Sequence, residues 1–293
     1  MKLSEFRIRD PFILLDGDTY YLYGTTRLAD NGVTDVTFGF DVFVSRDLEN
    51  FDGPYEVFSP GDDFWGIRDF WAPEVYKYRG AYYMFATFKD AGRLHGVGIL
   101  RSESPMGPFL PHSEIPLTSR SWSSLDGTLY ISEEGKPYMI FCHEWSQLID
   151  GEMCYAELSD DLTRFVTEPV TMFSAKPSPF VYPSKLWGTT DGYITDGPYM
   201  YRSSTGELLM LWSSKGADGY MECVYRADNG RLDGKFVPES LLYTEDGGHG
   251  MIFKDKDGRL LFVLHTPNVI GEERATIFEL CDKGNTLTIA RRL

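Results

Sequence analysis

Cysteine is scarce in this sequence. Four cysteines, Cys142, Cys154, Cys223 and Cys281, are spread over 293 residues. None belongs to a Cys-x-x-Cys pair, which argues against zinc sites and redox pairs. Each lies in an apolar run, so we expect buried free thiols.

Basic residues are also under-represented. Lys and Arg total 28 against 44 Asp and Glu, a formal net charge of −16. A surface of this sign repels DNA, RNA and anionic membranes. We therefore expect neither a nucleic-acid nor a membrane partner, and a neutral substrate suits such a surface.

Long hydrophobic runs are missing as well. The stretch Met1–Glu5 lacks the apolar segment of a signal peptide. No window has the length and apolar character of a bilayer-spanning helix. These absences predict a cytoplasmic protein, and they leave its oligomeric state open.

Aromatic residues and turn formers are abundant. Phe, Trp and Tyr make up 15% of the chain, with 29 Gly and 16 Pro. Aromatic side chains favour strands, while Gly and Pro favour turns. This composition predicts an all-β protein.

A repeated pattern organises the whole chain. Each copy has a short motif, a strand, a Gly-containing turn and an aromatic or aliphatic strand, followed by a second strand pair. The copies begin at Asp10, Ala72, Asp126, Asp196 and His249. Four strands per unit, repeated around an axis, predict a five-bladed β-propeller. A β-sandwich is the alternative, but it does not require equivalent motifs at nearly regular spacing.

The five units form one domain, residues 1–293, because no linker or low-complexity segment divides them. Residues 1–9 are expected to close the ring beside the last blade, near Leu287–Leu293.

The first motif residues of the five units should meet at the axis. Three are aspartates and one is a histidine. A single Asp in such a motif more often caps its own turn, but a shared register favours chemistry. Carboxylates brought together repel, and burial then separates their proton affinities. Inverting glycoside hydrolysis uses two such groups about 6.5–9.5 Å apart.

The motifs resemble those of family 43 of the glycoside hydrolases over essentially the whole chain. The matching stretches are Arg9–Ile13, Phe70–Val75, Ser124–Gly127, Asp196–Pro198 and Gly248–Gly250. The resemblance implies a five-bladed propeller and an inverting hydrolase of arabinose- or xylose-containing oligosaccharides from hemicellulose. An exo-acting α-L-arabinofuranosidase or β-xylosidase is the working hypothesis.

The resemblance also implies roles for individual residues. Asp10 matches the general base, and Asp126 matches the carboxylate that orients the acid and tunes its proton affinity. Asp196 stands where the family usually has Glu as the general acid. Because Asp is one methylene shorter, about 1.5 Å, Glu144 in His143-Glu144-Trp145 is kept as an alternative acid.

The resemblance and the positions of the tryptophans indicate further binding residues. His249 matches an axial residue that contacts a central water or calcium ion in relatives, so an axial calcium is the metal to consider, and no cofactor is required for hydrolysis. Trp71 and Trp145 flank ring motifs, and their faces suit a sugar in the first subsite. Trp65, Trp122 and Trp187 lie between units and are expected at the pocket rim.

Three other functions stay open. A carbohydrate-binding propeller without turnover would explain the Asp196 departure, although paired carboxylates argue against it. A fructan hydrolase would carry Arg-Asp-Pro in a middle blade and a Glu-Cys acid, whereas Glu222-Cys223 lies out of ring register here. A glycoside phosphorylase would need a basic cluster for phosphate, and none is evident.

Overall fold

The computed structural model describes residues 1–27, 38–92, 94–113 and 116–293. Nearly all regular structure in these ranges is antiparallel sheet, arranged as five four-stranded blades in chain order. The first blade contains β1 to β4: Arg9–Asp16, Thr19–Thr25, Phe40–Ser45 and Phe51–Phe58. The second contains β5 to β8: Arg68–Tyr78, Ala81–Lys89, His95–Ser102 and Leu110–Pro111.

The third blade is followed by a small separate hairpin. This blade contains β9 to β12: Ser124–Ile131, Pro137–His143, Glu152–Glu157 and Val170–Ser174. The hairpin pairs β13, Ser184–Leu186, with β14, Thr190–Gly192. The fourth blade contains β15 to β18: Asp196–Arg202, Leu208–Lys215, Tyr220–Ala227 and Phe236–Tyr243. The fifth contains β19 to β22: Gly248–Lys254, Leu260–Thr266, Arg274–Asp282 and Leu287–Arg292.

The first strand of every blade faces the axis. β1 contacts β5 and β19, β9 contacts β5 and β15, and β15 contacts β19. These contacts close a ring of five inner strands. The predicted all-β fold and five-bladed propeller are confirmed.

Helix is minor in the described ranges. A 3-10 turn spans Leu3–Glu5, and a four-residue helix, α1, spans Trp145–Leu148. No helix in these ranges has the length and apolar character needed to cross a membrane.

Burial explains the apolar runs of the second strands. In β6 and β16, all residues but the last are buried, because neighbouring blades cover both sheet faces. The outer strand β22 has a single buried residue, Leu287. Large aromatic side chains such as Trp212, Phe85 and Phe262 fill the spaces between blades, and each buried side chain of this size contributes about 1.5–3 kcal/mol.

The N-terminal segment seals the junction between the first and last blades. The Ile8 amide donates to the carbonyl of Glu273 at 3.1 Å. Arg7 donates from Nε and Nη2 to the two carboxylate oxygens of Glu273, at 3.0 and 3.1 Å. The segment therefore lies beside the last blade, as predicted, and it forms hydrogen bonds with Glu273, just before β21, and with Thr25 and Phe51 in the first blade.

The cysteines are free thiols, as predicted. Cys142, Cys154 and Cys223 are buried, and Cys281 is half-buried.

The Arg7–Glu273 pair should make ring closure sensitive to mutation. Glu273 is fully buried, so Arg7→Ala leaves its carboxylate without its bidentate partner. We expect a loss of about 3 kcal/mol in the free energy of unfolding, measured by urea denaturation. The control Arg291→Ala removes an exposed partner of Glu279 and should cost less than about 1 kcal/mol. Equal losses from the two variants would contradict this account of closure.

Candidate active site

Each inner strand is interrupted by a bulge at the same place. Two residues lie outside the register with the second strand, between for example Arg9 and Phe12, or Gly248 and Met251. The first bulged residue of every blade has a left-handed backbone. The five are Asp10 (φ 51°), Ala72 (46°), Asp126 (56°), Gly197 (48°) and His249 (51°).

This register corrects one prediction from the sequence. Asp196 does not occupy the shared ring position, because it pairs with Ser213 before the bulge and Gly197 is the bulged residue. Asp196 is therefore equivalent to Arg9 and Trp71, which precede the bulge in their own blades. A left-handed φ explains the glycine, and a Cβ there would come within 2.7 Å of His249 Cγ.

A belt of side chains holds the bulged residues. The amide of each ring residue bonds to a side chain of the preceding blade, in four cases from the second strand of that blade. The four are Ala72 to Thr25 Oγ1 (2.9 Å), Asp126 to Thr87 Oγ1 (2.9 Å), His249 to Ser213 Oγ (2.7 Å) and Asp10 to His265 Nδ1 (3.2 Å). These acceptors lie opposite the residue before each bulge. The belt thus links neighbouring blades, and the bond from Asp10 to His265 joins the first blade to the last.

The fifth link differs, and the difference positions Asp126. Cys142 stands opposite Leu125, where the other blades have Thr, Ser or His. A thiol is a weak acceptor, and the Gly197 amide instead donates to Asp126 Oδ2 at 3.0 Å. The carboxylate of Asp126 is thereby held towards the fourth blade, beside Asp196.

Asp10 is held as a carboxylate. Burial would raise its pKa, but interactions with His249, Arg9 and His265 and the hydrogen bond from Thr25 lower it to about 2. The Thr25 hydroxyl donates to Oδ2 at 2.8 Å. Oδ1 lies 3.2 Å from His249 Nδ1 but has no hydrogen-bond partner among the described residues. This oxygen keeps a free lone pair for accepting a proton.

Asp126 is held in the opposite state. Burial and the neighbouring carboxylates of Asp196 and Asp10 raise its pKa well above the usual range. Asp196 is more exposed, and its Oδ2 accepts a hydrogen bond from the Tyr220 hydroxyl at 2.7 Å. Asp126 therefore keeps its proton to higher pH than an ordinary aspartate, next to the carboxyl group of Asp196.

The donor set around His249 fits calcium poorly. One ligand atom each from Asp126, Asp196 and His249 lies within 4.8 Å of the others. Calcium takes six to eight oxygen ligands, whereas this group offers two carboxylates and an imidazole. His249 Nδ1 faces Asp10 Oδ1 and Asp126 Oδ2, at 3.2 and 3.9 Å. The imidazole thus lies between Asp10 and Asp126.

Glu144 does not join this group. It precedes α1, and its Oε2 accepts from the Ser123 hydroxyl at 2.5 Å and lies 3.1 Å from His95 Nδ1. Burial would raise its pKa, but His95 and Ser123 lower it overall. Glu144 is therefore an ionised carboxylate in a second network, at the same end of the blades.

The two tryptophans predicted to bind sugar, Trp71 and Trp145, pack against different parts of the protein. Trp71 is half-buried and its ring lies against His95, with centroids 4.7 Å apart. Trp145 is half-buried and packs under the β13–β14 hairpin, since a Cβ on Gly192 would come within 2.5 Å of its ring.

Only one of the three tryptophans expected at the rim is strongly exposed. Trp65 packs on Phe88, and Trp122 stacks on His143. Trp187 at the tip of the hairpin is 79% exposed.

Several residues that shape the site have no signal in the motifs. Ser213 and His265 bond to ring residues of the next blade, and Tyr220 bonds to Asp196 within its own blade. Glu222 accepts at Oε2 from Ser213 Oγ (2.8 Å) and from the Gly250 amide (2.9 Å) beneath the His249 bulge. Burial raises its pKa to about 8.

At the axis of a five-bladed propeller, a carboxyl group with a lowered pKa lies near one with a raised pKa, an arrangement that fits a glycoside hydrolase. The chain matches the family profile described as "Glycosyl hydrolases family 43" over residues 3–290. The chain therefore belongs to that family, as the motifs indicated, and inversion is the mechanism typical of its members.

Solved and curated relatives agree with this assignment. The crystal structure of an endo-arabinase from Bacteroides thetaiotaomicron VPI-5482 is 38% identical, with a TM-score of 0.89 over 98% of this chain and 99% of that one. Xylosidase/arabinosidase 43A of Humicola insolens is 30% identical over 56% of this chain and 48% of its own length. Extracellular endo-alpha-(1->5)-L-arabinanase 1 of Bacillus subtilis (strain 168) is 23% identical over 85% of this chain and 73% of its own length.

The chain is shorter than several of these relatives. It spans 48%, 59% and 57% of three curated relatives whose names include xylosidase or arabinosidase.

Asp126→Asn tests the shared proton. Removing this carboxyl removes the repulsion that keeps a proton on the pair, so the proton should leave at lower pH. We expect the alkaline limb of the kcat/KM profile to move down by about one pH unit or more. Asp160→Asn, at an exposed aspartate paired with Arg79, is the matched control. An alkaline limb that stays in place in Asp126→Asn would show that Asp126 does not influence the acid.

Proposed function

We propose that this protein hydrolyses α-L-arabinofuranosidic bonds of arabinan-derived oligosaccharides with inversion. The similarity to the Bacteroides endo-arabinase supports this substrate class, because it extends over nearly the whole of both chains at 38% identity. The match to the Bacillus endo-alpha-(1->5)-L-arabinanase adds support over 85% of this chain. The observation that carries the chemistry is the opposite shift of two pKa values at the axis, lowered for Asp10 and raised for Asp126 beside Asp196.

In this proposal, Asp10 is the general base. Its low pKa leaves it ionised, and its Oδ1, which accepts no hydrogen bond from the described residues, takes a proton from water. The oxygen of that water then bonds to the anomeric carbon as the glycosidic bond breaks.

Asp196 is the proposed general acid despite its short side chain. It is the more exposed member of the pair, so its proton is the one within reach of a leaving group. The Tyr220 hydroxyl orients its carboxyl group, and Asp126 keeps the proton on the pair. Asp196 gives its proton to the glycosidic oxygen, and the products are an inverted sugar and a free hydroxyl. Exchange with solvent returns the proton from Asp10 to the pair.

The mode of cleavage has two candidates. Cleavage within chains is favoured by the two relatives named as endo-acting. Exo action as an α-L-arabinofuranosidase or β-xylosidase is favoured by three curated relatives, two named xylosidase/arabinosidase and one beta-xylosidase. The exposed Trp187 on the hairpin before β15 supports the first mode, because aromatic faces suit sugars beyond the scissile bond.

One substrate panel distinguishes these candidates. The panel contains linear α-1,5-arabinohexaose, xylohexaose, and the nitrophenyl α-L-arabinofuranoside and β-D-xyloside. We expect arabinohexaose to yield mixed shorter oligomers early in the reaction, measured by anion-exchange chromatography. Asp10→Asn should lower kcat by at least about 10³-fold, because it removes the base.

Each other outcome selects another function. Early release of arabinose or xylose alone identifies exo action. Measurable oligosaccharide binding without turnover identifies a non-catalytic propeller. Cleavage of fructans, or cleavage that requires phosphate, identifies the two related activities and contradicts the proposal.

We further propose that hydrolysis requires no metal, because the His249 donor set matches calcium poorly. Activity after dialysis against EDTA should stay within about twofold of the untreated enzyme, since neither Asp10 nor Asp196 needs an ion for its proton transfer. A loss of activity that calcium restores, and magnesium does not, would contradict this and assign calcium to the axis.

A further inference from the structure

A second buried charge network lies at the mouth of the second and third blades. His95 Nε2 is 3.2 Å from Asp69 Oδ2, and His95 Nδ1 is 3.1 Å from Glu144 Oε2. All three side chains are buried, at 6%, 5% and 8% residue exposure. Lys89 Nζ lies 3.2 Å from the same oxygen of Asp69. We call this group the Asp69–His95–Glu144 clamp.

The clamp requires a doubly protonated imidazole. A neutral imidazole donates from only one nitrogen, whereas both nitrogens of His95 face carboxylate oxygens. Burial and Lys89 lower the pKa of His95, but the bonds to Asp69 and Glu144 outweigh them and raise it overall. Among the described residues, Arg68 is a further charged neighbour, with its Nε 3.9 Å from Asp69 Oδ2.

The clamp connects two blades. Asp69, Lys89 and His95 belong to the second blade, whereas Glu144 follows the third blade's second strand. Ser123 bonds to both blades, because its hydroxyl donates to Glu144 Oε2 at 2.5 Å and accepts from the His95 amide at 3.3 Å.

The clamp also contacts the ring. The His95 ring lies against Trp71, with an interplanar angle of 31°. Trp71 precedes the bulged residue Ala72, and it occupies in its blade the position that Asp196 occupies in the fourth. The clamp is therefore in contact with the residue that precedes the ring position of the second blade.

We propose that the Asp69–His95–Glu144 clamp is a positioning device that fixes the plane of Trp71 for sugar binding, with Glu144 as its carboxylate anchor rather than the general acid. This inference rests on the proposed glycoside hydrolysis.

The test compares His95→Gln, Glu144→Gln and Ser123→Ala with the wild type. The matched control is His112→Gln, because His112 bonds the carbonyl of Asp161 and belongs to neither network. KM and kcat are measured for arabinohexaose and for nitrophenyl α-L-arabinofuranoside. Binding of arabinohexaose is also measured by calorimetry in an Asp10→Asn background, and thermal denaturation checks folding.

We expect His95→Gln and Glu144→Gln to raise KM and the calorimetric Kd by about 3- to 10-fold, the range of one aromatic contact. The value of kcat should change less than about threefold on both substrates. Ser123→Ala, the mildest change, should show a smaller shift of the same kind. Combining His95→Gln with Trp71→Ala should add little to Trp71→Ala alone, because both act through one ring.

The pH dependence adds a readout that a purely structural role would not move. Because the pKa of His95 is raised, both of its carboxylate contacts are present when the pH is below the ordinary histidine pKa. They are lost as the pH rises through the pKa that His95 has in the folded protein. The calorimetric Kd should therefore increase at alkaline pH in the Asp10→Asn protein and stay flat after His95→Gln.

Three results would overturn the proposal. If Glu144→Gln abolishes cleavage of arabinohexaose but spares the nitrophenyl substrate, Glu144 is the general acid. If the variants fold and keep wild-type KM and Kd, the clamp does not position Trp71. If His95→Gln and Trp71→Ala effects add fully, the two residues act independently. A wild type inactive on every substrate instead counts against the proposed function, and the calorimetric comparison still tests the clamp.

Discussion

The site depends on the belt of hydrogen bonds that holds five left-handed residues around the axis. A left-handed backbone is costly for residues other than glycine, so Asp10, Asp126 and His249 adopt it only because their amides are bonded to the preceding blade. The same bonds join blade to blade, including last to first. Catalytic geometry and ring integrity therefore share one set of contacts, and a blade displaced by loss of one link would also move a carboxylate.

Buried carboxyl groups near one another can have very different pKa values when their neighbours differ. Asp10 is surrounded by His249, Arg9 and His265 and stays ionised, whereas Asp126 meets Asp196 and retains a proton. His265 is itself buried, and desolvation and Arg9 lower its pKa to about 4. Its neutral ring accepts from the Asp10 amide at Nδ1 and donates from Nε2 to Asn268 Oδ1. Asp10 is thus oriented by a neutral histidine, and the positive charge of Arg9 helps to keep it ionised.

The repeat allowed the fold and much of the ring to be predicted from sequence. Asp10, Asp126 and His249 lie at equivalent positions because their motifs align in the inner strands. The prediction for Asp196 is wrong by one residue. In Asp126-Gly127 the Asp is the first bulged residue, but in Asp196-Gly197 it is the Gly, and only the strand pairing distinguishes the two cases. The clamp and the belt acceptors carry no local pattern. Their partners are distant in sequence, as Asp69 and Glu144 are, so their contacts arise only when the blades pack.

The central claim, that one end of the axis holds an ionised Asp10 facing a protonated pair, is tested most directly by NMR. Carboxyl carbons of ¹³C-labelled aspartate would be titrated, with Asp10→Asn, Asp126→Asn and Asp196→Asn used for assignment. We expect Asp10 to remain ionised down to about pH 2, and one carboxyl of the Asp126–Asp196 pair to keep its proton well above the usual aspartate range. Titration of all three near the ordinary aspartate value would contradict the account.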